Sequence, residues 1–358
     1  MHKARLEKIL IQMKKEGIPQ MIISDPAAIF YVTGKWIHPG ERMLALYLNT
    51  EEKSILFVNE LFPLPDDFGI QKVWFKDTDE PVKLLSSHIT NGEIIGVDKN
   101  WPARFLLELM QDTGSHSFIN GSPIIDNIRA SKDDNEASFM REASKLNDSA
   151  MEKIIGLISD QYTEKSMVYS LYKVYEELGA DGPSFEPIIA YGSNGAKPHH
   201  EPGNAKLQKG DCIIIDIGCK KSSYCSDMTR TVFYQSVSPE ASKVYSIVKE
   251  ANEKAIDLIK PGVRFCNIDA AARTHIEEFG YGKFFTHRTG HSIGIEVHEY
   301  GDVSSTNTDI LLPGMIFSIE PGIYIPGEFG VRIEDLVLVT ENGCKVLNNY
   351  SKDLTVIE

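Results

Sequence analysis

No stretch of roughly eighteen or more apolar residues occurs in the 358-residue chain, which excludes a membrane-spanning helix of ordinary length. Residues 1–10 carry an amphipathic helical pattern without the apolar core or small-residue cleavage site of a secretory signal, so a cytoplasmic enzyme is expected. Basic excess is missing too. A formal net charge of −14 leaves no electrostatic footprint for nucleic acid, whose phosphates require clustered Lys and Arg. Cysteine is scarce and irregular: Cys212, Cys219, Cys225, Cys266 and Cys344 are odd in number and lack zinc-finger spacing. Cys212 and Cys219 read as reduced, buried strand residues. Cys225 lies two residues before Asp227, but no base is implied beside it and it receives no catalytic role. What remains is a chain of 42% hydrophobic residues, long enough for about two or three domains with real cores.

What the sequence does have is an internal repeat. Residues 209–218 (KGDCIIIDIG) and 313–322 (PGMIFSIEPG) each place an acid six residues after a glycine, with another glycine two beyond the acid. The trios are Gly210, Asp216 and Gly218, then Gly314, Glu320 and Gly322. Both read as a turn entering a short buried strand that ends on an acid. Each is followed by a second strand bearing another acid: Asp227 ahead of 229–234, and Glu334 inside 331–339. The turn residues and β-branched runs make these two hairpins, suggesting two structural halves that face each other across one site. Strand alternation sets Arg332, Glu334, Leu336 and Leu338 on one face, so a charge stands in an otherwise apolar row and needs a partner such as a metal ion. Taken singly, each acid would most often be a solvated carboxylate at a strand edge. Matched spacing in two places argues otherwise.

The histidines add to this. His291 and His298 lie seven residues apart on the Gly-punctuated segment 285–299 (FTHRTGHSIGIEVHE), where they can supply a metal ligand and a nearby proton carrier. His199 and His200 end a polar loop just ahead of the first acidic hairpin; such a pair is as readily solvated as functional. Four carboxylates and an imidazole in one pocket would repel one another badly without cations among them. A two-metal hydrolase is therefore the first expectation. The oxygen-rich donor set suits Mn²⁺, Co²⁺ or Zn²⁺ and excludes a thiolate site.

Together these segments closely resemble the metal-dependent pita-bread peptidases, which include methionine aminopeptidase, Xaa-Pro aminopeptidase and prolidase (Xaa-Pro dipeptidase). The resemblance covers the whole chain. It implies five metal ligands, Asp216, Asp227, His291, Glu320 and Glu334, with Asp227 and Glu334 bridging two divalent ions, Asp216 on one, and His291 and Glu320 on the other. It also implies a hydroxide shared between the ions as nucleophile, with Glu320 passing on its proton. His199 and His298 would stabilise the tetrahedral intermediate and the leaving prolyl nitrogen. An N-terminal domain, with residues 25–34 similar to the family's N-terminal motif, points to the Xaa-Pro branch and to cleavage of the bond before proline. Two departures stand out: Ser292 follows His291 where the family usually has glycine, and Asp302 stands four residues after His298, where prolidases often carry a carboxylate-binding Arg. The acid tilts the expectation from dipeptidase toward aminopeptidase acting on Xaa-Pro-Yaa. Arg332 is read as orienting a ligand carboxylate, or else as a plain cross-strand ion pair. A homodimer is implied, with residues 36–39 in the region that reaches a neighbouring active site in related dimers; an exposed turn is the equal alternative. From another class, a non-catalytic pita-bread peptide-binding protein or a metal-free creatinase-like hydrolase would be expected to lack part of this ligand set.

The fold class expected is α/β (α+β): a creatinase/prolidase-like α/β domain over 1–126, then a pita-bread catalytic domain over 127–358. In the first domain short apolar runs at 21–24, 43–48, 54–58, 72–75 and 93–98 read as strands, and apolar spacing of three and four gives helices over 6–15 and 103–111. The polar stretch 127–136, with Ser131 and Asp133 as candidate caps, suits a boundary. Helices should follow near 136–159 and 163–178.

Overall fold

A computed structural model of the chain describes residues 1–51, 54–114 and 117–358. It divides into two compact units, Met1–Arg129 and Ala130–Glu358.

The first unit is built on a six-stranded sheet of β1 (Gln20–Ile23), β2 (Ala45–Asn49), β3 (Ile55–Asn59), β4 (Gln71–Phe75), β5 (Ile95–Val97) and β6 (Phe118–Asn120), in the order β4-β3-β2-β1-β5-β6. β1, β2 and β3 pair antiparallel; the outer pairings are parallel. β1, β2 and β3 are buried along their whole length, which is why they read as continuous apolar runs and not as alternating ones. The helices are α1 (Lys3–Glu16), α2 (Pro26–Thr33), α3 (Pro81–Ser86), α4 (Ala103–Thr113) and α5 (Ser122–Ala130). The segment 25–34, read above only as a motif, is α2 with its caps: the Asp25 side chain accepts from Ala28 N–H and Pro26 opens the first turn. The expected boundary after residue 126 lies inside α5, so the polar linker is the shorter stretch 131–133.

The second unit begins with α6 (Asp134–Leu157), started by a capping box in which Asp133 and Glu136 each accept the other's backbone N–H at 2.9 Å. Next come α7 (Glu164–Leu178), β7 (Gly182–Pro183), β8 (Ile188–Tyr191), β9 (Cys212–Ile217), β10 (Cys219–Lys221), β11 (Tyr224–Cys225) and β12 (Met228–Tyr234). Then follow α8 (Pro239–Asp257), α9 (Phe265–Glu278), β13 (Gly290–His291), β14 (Asp302–Val303), β15 (Ile316–Ile319), β16 (Gly322–Ile325), β17 (Phe329–Arg332), β18 (Asp335–Val339), β19 (Cys344–Val346) and β20 (Val356–Ile357).

The repeat is visible in this order. β9 pairs antiparallel with β12 and brackets the short pair β10–β11; β15 pairs antiparallel with β18 and brackets β16–β17. Gly210 and Gly314 enter the matched strands in the same left-handed conformation, φ +93° and +86°, which explains why both turns carry glycine. One expectation needs correction. The run 331–339 is not a single strand: it leaves β16 at Arg332 and joins β15 at Asp335, with Ile333 and Glu334 between. Both sides of this run are covered, so Val331 to Val337 are all buried and no alternating row forms. A helix pair backs each half: α6 and α7 pack on β8, β9 and β12 through Met151, Leu171 and Ile215, and α8 and α9 on β15 to β18 through Val248, Ile268 and Phe317.

Candidate metal centre

The ends of the two bracketing pairs, β9–β12 and β15–β18, converge on a cavity of about 460 Å³ in the second unit, lined by Asp216, Asp227, His291, Glu320 and Glu334 together with His199 and His298. All seven residues singled out from the sequence therefore reach one space. Asp216 lies one residue before the end of β9, Asp227 precedes β12, Glu320 follows β15 and Glu334 precedes β18. The halves are joined at Thr229: its carbonyl accepts from Glu334 N–H at 3.1 Å and its hydroxyl donates to Glu334 Oε2 at 2.8 Å. His291 is delivered by β13. Gly290 runs so close to β15 that an added Cβ would lie 1.8 Å from the Ser318 carbonyl oxygen, and Ser318 Oγ accepts from His291 N–H at 3.1 Å. This contact sets His291 Nε2 at 3.5 Å from Glu320 Oε1 and 3.7 Å from Asp227 Oδ2. Ser292, in place of the usual glycine, leaves His291 in the cavity.

The electrostatics are those of acids crowded out of water. Burial raises the Asp227 carboxyl well above its ordinary range, and Glu334, Asp216 and Glu320 raise it further. Burial does the same to Glu334, aided by Glu320 and Asp216. Glu320 is pushed up to about 7 by burial, against the opposing Arg332. His291 goes the other way, down to about 3, through burial and the neighbouring His298, whose ring centroid is 4.4 Å away. A neutral imidazole is the form that binds metal.

Three oxygens carry the test of metal binding. Asp216 Oδ1, Asp227 Oδ1 and Glu334 Oε1 are buried without a hydrogen-bond partner among the described residues. Such orphaned acceptors are costly unless a cation takes their lone pairs. Asp227, His291 and Glu334 bring ligand atoms within 4.8 Å of one another, close enough to hold a metal ion; Asp216 and Glu320 line the same cavity outside that trio. The residues present fit a divalent ion.

A hydrogen-bonded chain runs from Arg332 through Tyr324 to His287 beside these acids. Arg332 donates from Nη2 to Asp216 Oδ2 at 2.6 Å, from Nε to Thr229 at 3.1 Å, and from Nη1 to the Tyr324 hydroxyl at 2.9 Å. Tyr324, raised to about 12 by burial, in turn donates to His287 Nε2 at 2.8 Å, because His287 Nδ1 donates to the Arg288 carbonyl. Sequence reading assigns no role to His287 and Arg288, which line the cavity, or to Tyr324, bonded to Arg332 and His287. The signal available was only the position of His287 and Arg288 beside His291 and of Tyr324 inside the repeat.

Residues 138–341 match metallopeptidase family M24, and residues 5–131 match the creatinase/prolidase N-terminal domain. The chain belongs to metallopeptidase family M24. It is a peptidase of that family, whose members bind divalent metals, with a creatinase-like domain before the catalytic one. The chain is similar to an uncharacterised peptidase of Staphylococcus aureus, 36% identical over 353 residues, covering 97% of this chain and 99% of that one. Among solved structures, a recombinant prolidase from Thermococcus sibiricus is 35% identical with a TM-score of 0.95, covering 100% of this chain and 99% of that one. A dipeptidase from Pyrococcus horikoshii is 34% identical with a TM-score of 0.93, covering 99% and 100%. No helix among the described residues is long and apolar enough to cross a membrane.

Proposed function

We propose that this metallopeptidase is an exopeptidase that hydrolyses the peptide bond preceding proline. The reading is carried by one observation, the meeting of five metal-ligating side chains with His199 and His298 in a single cavity. Asp216, Asp227, His291, Glu320 and Glu334 would hold two divalent ions, Mn²⁺ first, with Co²⁺ or Zn²⁺ as alternatives for an oxygen-rich set. When bound, such ions supply an activated water at neutral pH and polarise the scissile carbonyl. The chain's own groups do the rest. Arg332 fixes the Asp216 carboxylate, Glu320 accepts a proton and passes it toward the leaving nitrogen, and His199 and His298 donate to the oxygen and nitrogen of the bond being broken. Phe185, Ile188, Pro198 and Val297 give the cavity an apolar wall that suits a pyrrolidine ring.

Substrate length has two readings. Asp302, an acid beside the site, favours Xaa-Pro-Yaa peptides and hence an Xaa-Pro aminopeptidase. A specific observation favours an Xaa-Pro dipeptidase: Arg288 lines the cavity and lies 4.0 Å from Asp302, so the acid's charge is opposed by a cation able to receive a dipeptide's carboxylate. The names prolidase and dipeptidase of the similar structures support the same reading. Rates on Ala-Pro and Ala-Pro-Ala after metal reconstitution decide between them. A cytoplasmic homodimer completes the proposal, checked by sedimentation. Chelation abolishes cleavage and Mn²⁺ or Co²⁺ restores it; full activity in excess chelator, with no metal bound, overturns the reading.

A further inference from the structure

His200 lies next to a residue of the candidate site, yet only His199 of the pair lines the metal cavity. The ring of His200 turns instead to Glu164, in the first turn of α7, with Nε2 and Glu164 Oε2 2.9 Å apart. Glu164 is fully buried and touches none of the proposed metal ligands through a hydrogen bond. A buried carboxylate is tolerated only where donors surround it. Here all four come from the segment on either side of His199. Oε1 accepts from Tyr191 N–H at 2.8 Å and from Asn194 Nδ2 at 2.9 Å, and Oε2 accepts from His200 and from Gly203 N–H at 2.9 Å. The backbone adds Lys165 N–H to the Gly203 carbonyl at 2.9 Å and Glu164 N–H to the Ala205 carbonyl at 3.3 Å. Thr163 caps α7, so the carboxylate also sits at the favourable end of the helix dipole.

The loop between β8 and β9 is thus pulled onto one rigid helix end. Within it, Pro198 has its carbonyl taken by Arg332 Nη1 at 3.4 Å and His200 is taken by Glu164. The residue between them faces the cavity.

We propose that Glu164 is a positioning residue for His199, acting through this loop, with His200 as its anchor. The proposal rests on the role given to His199 above. A misplacement of about 1 Å at a reacting group can cost about a hundredfold in rate, so a loop clamp of this kind has consequences at the reacting bond.

The test uses the full-length, Mn²⁺-loaded enzyme. Glu164→Gln turns an acceptor into a donor facing Gly203 and His200. It is expected to lower kcat at least about tenfold with KM within about twofold, to leave the metal content per chain unchanged, and to accelerate hydrogen exchange across 192–205. His200→Ala, at the partly exposed end of the pair, gives a smaller loss in the same direction, and His200→Gln, which keeps an N–H donor, recovers most of it. In a His199→Ala background Glu164→Gln produces no further loss, because the two act through one group. Losses that multiply overturn the proposal, as does unchanged loop exchange in both Glu164→Gln and His200→Ala. Wild-type cleavage by His199→Ala is a different result: it removes His199 from the proposed mechanism, while loop exchange still decides whether Glu164 holds the loop.

Discussion

Arg332 is the side chain on which the two halves of the site depend together, since one guanidinium ties Asp216 of the first half to Tyr324 of the second. Its planar fork reaches Asp216, Thr229 and Tyr324 at once, which a Lys ammonium on a single stem cannot do. Arg332→Lys is therefore expected to weaken metal binding about 10- to 100-fold, as losses of groups that orient ligands do, measured by metal titration of the chelated protein. Asp227→Asn goes further. Its carboxylate lies in the trio with His291 and Glu334 and keeps one oxygen without a partner among the described residues, so the amide variant is expected to lose both of the proposed ions. Metal content near two per chain would refute a bridging role. At this scale the acids were legible because a glycine-spaced repeat singles them out from solvated carboxylates. Arg332 was legible as a neighbour of Glu334, although the carboxylate it holds belongs to Asp216, on β9 in the other half. Tyr324 was not: in a run of β-branched residues a tyrosine reads as core, and only the approach of Arg332 and His287 gives its hydroxyl a purpose.

Elements place these residues, and β13 shows how tightly. It pairs with β14 in the register Gly290–Val303 and His291–Asp302, while its glycine presses on β15. Gly290→Ala puts a methyl 1.8 Å from the Ser318 oxygen, so β13 must move and take His291 with it. The expected result is a loss of activity of about a hundredfold or more with weakened metal binding, read by kinetics and titration; a fully active variant would show that β13 yields without disturbing His291. Each half has a further device: a buried Asn on the backing helix donates to a carbonyl beside the acid, Asn147 to Ile217 and Asn252 to Ile319, both at 2.8 Å. Asn147→Leu leaves that carbonyl and the Tyr175 hydroxyl unsatisfied and is expected to cost about 1–3 kcal/mol, checked by denaturant unfolding of the catalytic unit's transition. Long helices were legible from spacing and caps, as α6 and α7 show. The handover of 331–339 between two partners was not, because both faces are buried and no alternation marks where pairing changes. The pairs β10–β11 and β16–β17 escaped for a related reason: a strand of two to four residues carries too little pattern to separate from a turn.

The whole catalytic unit is two helix-backed halves closed over acids that would, without cations, rather be protonated. This couples stability to metal and pH in a definable direction. Glu320 has a folded value raised by burial from the ordinary 4.5 to about 7, and Asp227 and Glu334 are raised as well. A group with a raised folded value contributes stability that is fully present below its unfolded value and lost as pH rises through the folded one. The imidazoles work oppositely: His291, lowered to about 3, His287, lowered to about 4, and His298 and His275, also lowered by desolvation, cost stability as pH falls through the ordinary 6.5. Their contribution is half gone at about 6.5 and fades by about pH 7.5, so the raised carboxyls dominate the slope above 6.5. The chelated protein is therefore expected to melt at progressively lower temperature between about pH 6.5 and 8. Metal ions bind the deprotonated carboxylates, so the same rise in pH strengthens their binding and the stabilisation they confer. Calorimetry across that window, with chelator and with saturating Mn²⁺, should show a gap in Tm that widens with pH. A constant gap, or a chelated protein that gains stability over the same range, would mean that the buried acids are already satisfied without ions, and would remove the physical ground for placing metals among them.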